Sequence, residues 1–150
     1  MIEKRCGWCG DNPLYVKYHD EEWGKPVHDD GKLFEFLILE TNQAGLSWIT
    51  VLKKREAMRE AYCGFNPEKV AAFTEEDKRR LMSNPNIIRN GRKIDAAVCN
   101  AKRFLEIQKE FGSFDRYIWG FTDYKQIKNL PEKEFDVPAS TPLSEKISKD

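Results

Sequence analysis

Apolar residues recur at helical spacing through almost the whole chain, and no segment of length alternates apolar and polar residues as a half-buried strand must. Ile94, Ala97, Val98, Ala101, Leu105 and Gln108 line one face of a long helix that ends near Gly112. Asn12-Pro13 pairs a helix cap with a proline at the first helical position, which predicts a short helix over roughly Pro13 to Glu22. Asn66-Pro67 repeats that start, and Thr74 with Asp77 has the spacing of a capping box. Two further helices are expected from about Gly31 to Gln43 and from about Ser47 to Tyr62, and Ser113 caps another turn or two through Trp119. The Pro-rich stretch "NLPEKEFDVPAST" reads as a loop, after which Thr141-Pro142 opens a last helix. That helix has barely begun its amphipathic turn at Asp150, so the expectation is a chain cut short of its natural length. The fold class is all-α: a bundle of about seven or eight short helices forming a single domain over residues 1–150.

A chain of 150 residues buries a real core without disulfide or metal staples. Its longest apolar run, Phe36 to Leu39, is far too short to span a bilayer, and no charged and apolar leader opens the sequence. The expected location is cytoplasmic, with no membrane partner. Lys plus Arg and Asp plus Glu number 25 each, which excludes a whole-protein field that would draw in nucleic acid. A local basic face stays open, because affinity for a phosphate backbone depends on the few cations that touch it. Cys6, Cys9, Cys63 and Cys99 show no disulfide framework and are expected to be reduced.

Three constellations carry chemistry. The first is "ETNQAGLSW", Glu40 to Trp48, which interrupts the most apolar passage with a lone acid, two amides, a glycine and a tryptophan. The second lies in the N-terminal quarter, where Cys6-Gly-Trp-Cys9 precedes His19 and His28. Thiolates and imidazoles suit tetrahedral zinc, but eight residues between the histidines are not finger spacing, and the alternative is two buried cysteines and a surface histidine. Trp8, Tyr15, Tyr18, Trp23 and Trp48 crowd the same region, and Tyr15 and Tyr18 share a helix face. They read either as core packing or, beside one carboxylate, as a box for a flat cationic or aromatic ligand. The third is "NPNIIRNGRKIDAAVCNA": a short helix, a tight turn at Asn90-Gly91, and a long helix, with Arg89, Arg92 and Lys93 beside the turn. Amide groups at a helix start with cations next to them grip a phosphate without reading sequence, as a helix-hairpin-helix does. A glycine here would supply a positive φ.

Taken together, Arg5-Cys-Gly-Trp8, "NPLYVKYHDEEWG" with Asn12 where aspartate is common, "LFEFLILE", "QAGLSWITVLKKRE", "FNPEKVA" and the segment from "IIRN" to Ala101 resemble the 3-methyladenine DNA glycosylase I family. The resemblance runs from about Arg5 to the end of the chain, and the block Gln43 to Glu56 is its most specific part. It implies an all-α member of the helix-hairpin-helix glycosylase superfamily, a monomer acting on double-stranded DNA that contains alkylated bases. Such an enzyme flips 3-methyladenine out of the stack and hydrolyses its N-glycosidic bond, starting base excision repair.

Carried over residue by residue, the resemblance makes Glu40 the catalytic carboxylate. Tyr15, Tyr18 and Trp48 become the base-binding aromatics, with Trp8 and Trp23 near them. Gly45 and Leu46 fill the gap left by the flipped base, and Arg89, Asn90, Gly91, Arg92 and Lys93 hold DNA. The turn order Asn90-Gly91-Arg92 reverses the Arg and Gly that members of the family often have. Asp115 is the rival acid, since many relatives in the wider superfamily place a catalytic aspartate after the hairpin. The resemblance also implies a structural zinc clasp in the N-terminal region, with Cys6 and His19 as two ligands. Its other His and Cys would fall beyond Asp150, which leaves the expected site incomplete. Two other classes of function stay open: a DNA-binding module without activity, and a zinc-dependent interaction domain on Cys6, Cys9, His19 and His28.

Overall fold

A computed structural model describes residues 5–129, 131 and 136–150. Eight α-helices and two short 3-10 turns account for the regular structure of these residues: α1 Pro13–Glu21, α2 Asp30–Gln43, α3 Trp48–Ala61, α4 Pro67–Ala71, α5 Glu75–Ser83, α6 Gly91–Phe111, α7 Phe114–Gly120 and α8 Pro142–Lys149. The predicted all-α class and nearly all the helix starts are observed. The turns at Gly7–Cys9 and Cys63–Phe65 were not expected. Part of the expected Pro-rich loop, residues 130 and 132–135, lies outside the described residues. No described helix is long and apolar enough to cross a membrane.

The caps explain the boundaries. Asn12, Asp29, Asn66 and Asn90 each accept a hydrogen bond from a backbone N–H in the first turn of α1, α2, α4 and α6. Thr74 and Asp77 form the reciprocal box that their spacing predicts. α6 stops at Gly112, whose φ of 87° is the left-handed geometry in which a side chain is strained. The start of α7 is held from far away: the Asp30 carboxylate accepts from the N–H of Phe114 at 2.9 Å and of Asp115 at 2.8 Å. Gln108 Nε2 donates to the same group at 2.6 Å.

The chain divides into two compact units, Val27–Asp115 and the pair of segments Met1–Pro26 and Arg116–Asp150. The first unit holds the core. There α6 packs against α2, α4 and α5, and Phe34, Ile38, Leu39, Val51, Met58, Tyr62, Leu81, Ile94 and Phe104 are all within 1% of complete burial. Burying each such side chain contributes about 1.5–3 kcal/mol. Inside this apolar layer sits one charged cluster. Glu35, 3% exposed, accepts from Arg55 Nε at 2.7 Å and from Arg59 Nη2 at 2.7 Å, with Lys32 Nζ at 3.2 Å. In the second unit, Cys9 is the buried residue among those described.

Candidate active site

The candidate residues divide between the units. In the unit Val27–Asp115, the apolar face of α2 carries Phe34, Ile38 and Leu39 into the core, which turns Glu40 outward. Glu40 is exposed, and among the described residues none donates a hydrogen bond to it. Its surroundings still strip enough water to push the carboxyl above its ordinary pKa, with no cation to oppose the rise.

Three residues later α2 ends. The N–H of Leu46 donates to the Gln43 carbonyl at 2.7 Å, and Gly45 takes a φ of 77°, which the turn requires and a side chain would oppose. Leu46 is 38% exposed at the tip. Trp48 opens α3 and is buried, with 8% of its surface accessible.

The connection from α5 to α6 lies in the same unit. Ile87 and Ile88 are buried and anchor it, and Arg89, Asn90, Gly91 and Arg92 are exposed. Gly91 does not have the positive φ expected of it: it is the first residue of α6, in ordinary helical geometry behind the Asn90 cap. A Cβ there would meet nothing within 4 Å, so its backbone faces open space. A cavity of about 240 Å³ opens beside the start of α6, lined by Thr41, Asn90, Arg92, Lys93 and Ala96. Lys93 reaches back across it: its Nζ donates to the carbonyls of Asn42 and Ala44, both at 2.7 Å.

In the other unit, Trp8 is the centre of an aromatic group. Its ring lies 5.1 Å from Tyr15, 6.5 Å from Tyr18, 5.2 Å from His19 and 5.3 Å from Trp23. His19 stacks on Trp23 at 5.5 Å. Desolvation raises the Tyr15 pKa, and the charge of Cys9 acts in the same direction. Tyr15, Tyr18, Trp8 and Trp23 are thus brought together as the sequence suggests.

Cys6 and His19 are neighbours as well. The Cys6 N–H donates to His19 Nε2 at 3.4 Å, and His19 Nδ1 lies 2.9 Å from the Asp20 carboxylate. Hydrogen bonds from Arg5, then from His19, pull Asp20 down to about 2, so it stays ionised and orients the ring. The expected zinc ligands are therefore adjacent. No group of three or more His, Cys, Asp or Glu that would hold a metal exists among the described residues, and tetrahedral zinc needs four ligands. Of the alternative set, Cys9 Sγ donates to the Cys6 carbonyl at 3.1 Å, and in the other unit His28 Nδ1 lies 2.7 Å from the Asp115 carboxylate. Asp115, the rival acid, is thereby tied to His28 at the start of α7.

Sequence reasoning missed the Glu35 cluster and the contact of Lys93 with the end of α2. Both join residues 20 or more positions apart, and no local pattern signals them.

Residues 8–150 match the family model for methyladenine glycosylase. A DNA-3-methyladenine glycosylase of Haemophilus influenzae is 47% identical over 145 residues, 97% of this chain and 78% of that protein. The crystal structure of a 3-methyladenine DNA glycosylase I superposes with a TM-score of 0.94 at 44% identity, covering 97% of this chain and 80% of the other. The 3-methyladenine DNA glycosylase I of Staphylococcus aureus, studied for its recognition of 3-methyladenine, gives a TM-score of 0.93 at 39% identity over 97% of this chain and 77% of its own. Sequence and fold agree across nearly the full chain, which belongs to the methyladenine glycosylase family.

Proposed function

We propose that this protein is a monofunctional DNA glycosylase that excises 3-methyladenine from alkylated double-stranded DNA by hydrolysing the N-glycosidic bond. The observation that carries this is the family match over residues 8–150, which includes Glu40, Tyr15, Tyr18 and Trp48. The damaged nucleotide leaves the stack, with Gly45 and the exposed Leu46 entering the gap and the hairpin at Arg89 to Lys93, a helix-hairpin-helix, held against the backbone. The open space at Gly91 lets a phosphodiester approach its N–H. The enzyme works as a monomer in the cytoplasm.

The chemistry suits so plain a site. Methylated at N3, adenine is cationic and already a good leaving group, so the enzyme needs little acid help. Discrimination is the harder task, and a carboxylate with aromatic faces prefers a cation to neutral adenine. Glu40 accepts a charge-assisted hydrogen bond from the base's amino edge, and its charge stabilises the oxocarbenium-like sugar as the bond to the base breaks and water adds. The resemblance assigns base binding to Trp48 in the unit Val27–Asp115 and to Tyr15 and Tyr18, with Trp8 and Trp23 near them, in the other unit. Cys6 and His19 are the pair that would ligate a structural zinc.

The test is release of 3-methyladenine from alkylated duplex DNA. Glu40→Gln is expected to lose release while Asp115→Asn keeps most of it, and the reverse result overturns the assignment of Glu40.

A further inference from the structure

The hairpin cation Lys93 lies at the third position of α6, where a positive charge opposes the helix dipole of its own helix. Its side chain leaves that helix. It is half-buried, and its ammonium donates to the Asn42 and Ala44 carbonyls, both at 2.7 Å. These are acceptors at the end of α2, where carbonyls have no intrahelical partner and the dipole is negative. The residue thus serves the C-terminus of α2, 49 and 51 positions away, better than the N-terminus of α6. The next residue after Ala44 is Gly45, at a φ of 77°, and then the exposed Leu46. Arg89 and Arg92, by contrast, are exposed beside the same turn.

We propose that Lys93 is a positioning residue that latches the turn Ala44–Ser47 to the hairpin, so that seating the hairpin on the DNA backbone drives Leu46 into the base stack. It does this instead of contacting phosphate itself. Two short hydrogen bonds, one to Asn42 in the last turn of α2 and one to Ala44 at its end, fix both the height and the direction of the turn relative to α6. Asn42 strengthens the arrangement: it is 1% exposed, and its Nδ2 donates to the Ile38 carbonyl at 2.8 Å, so the acceptor that Lys93 holds belongs to a rigid residue. Without the ammonium, the last carbonyls of α2 turn to water and the tip of the turn loses its reference to the hairpin.

This inference rests on the excision reading above, and the experiment separates the two. Lys93→Met keeps the stem and removes the charge, and Lys93→Arg restores donors for the two carbonyls. Hydrogen exchange of the free protein is followed at residues 44–48, together with single-turnover excision at saturating enzyme and the salt dependence of binding to undamaged duplex. The latch predicts faster exchange at 44–48 in Lys93→Met. It also predicts a saturating excision rate lower by about ten- to a hundredfold, as displaced groups cause, an unchanged salt slope, and partial rescue by Lys93→Arg. A salt slope shallower by about 0.9 with saturating excision preserved marks a phosphate contact and overturns the latch. Unchanged exchange at 44–48 overturns it too, and that readout holds even if the wild-type chain releases no methylated base, the result that would sink the excision reading instead.

Discussion

At the scale of single residues, Glu40 is held in a state that folding does not favour. Its carboxyl is partly stripped of water with no donor beside it among the described residues, so its pKa in the folded chain lies above the unfolded value. In the pH range between those two values the folded state binds more protons than the unfolded state, and stability falls as pH rises. Above the folded pKa the full penalty is present, and below the unfolded value it is gone. Glu40→Gln is therefore expected to raise the urea midpoint at pH 8 and to leave it nearly unchanged at pH 4, while excision is lost. A variant no more stable than the parent at pH 8 would show that water solvates the carboxylate fully. The helix pattern alone leaves this residue an exposed acid at the end of an apolar run, and it was the family resemblance that singled it out.

At the scale of elements, α2 and α3 are clamped by the opposite kind of carboxylate. Burial alone would push Glu35 up, but hydrogen bonds from Arg59 and Arg55 and the charges of Arg55 and Lys32 outweigh it, and the net shift is downward. Its stabilisation is fully present above the unfolded carboxylate range and is lost as pH falls through the depressed folded value. Glu35→Ala removes the buried carboxylate to which Arg55, 8% exposed, donates. The expected loss is about 3–5 kcal/mol in urea unfolding at pH 7, as for other buried pairs broken on one side. A loss under about 1 kcal/mol would mean that Arg55 finds water. None of this was visible in "KLFEFLIL", where Glu35 reads as a polar gap, because its partners stand 20 and 24 positions along the chain. The helices themselves were legible, since Asn12, Asn66, Thr74 and Asn90 cap within three residues of their own positions. What failed was the backbone of the hairpin: Asn-Gly suggests a left-handed glycine, yet Asn90 takes an extended φ of −147° and Gly91 simply begins the helix.

At the scale of the whole molecule, 25 basic and 25 acidic residues cancel. A neutral protein meets a polyanion without long-range attraction, so its salt dependence counts only the cations that touch phosphate. Many cations are already engaged within the protein: Arg55 and Arg59 hold Glu35, Lys54 donates to the Pro85 carbonyl, Lys78 pairs with Asp95, and Lys93 holds the end of α2. Those exposed next to the hairpin are Arg89 and Arg92, with Lys53 exposed on α3. Each contact contributes about 0.9 to the slope of log affinity against log salt, so two or three give a slope of about −2 to −3 on undamaged duplex. Arg92→Ala should weaken binding to every duplex alike and make that slope shallower by about one unit, with the saturating excision rate little changed. Titrations of fluorescent duplex between about 50 and 200 mM salt read both quantities. A slope steeper than about −6 would require an extended basic footprint that draws in exposed cations away from this turn, such as Lys69, Arg79 and Lys102.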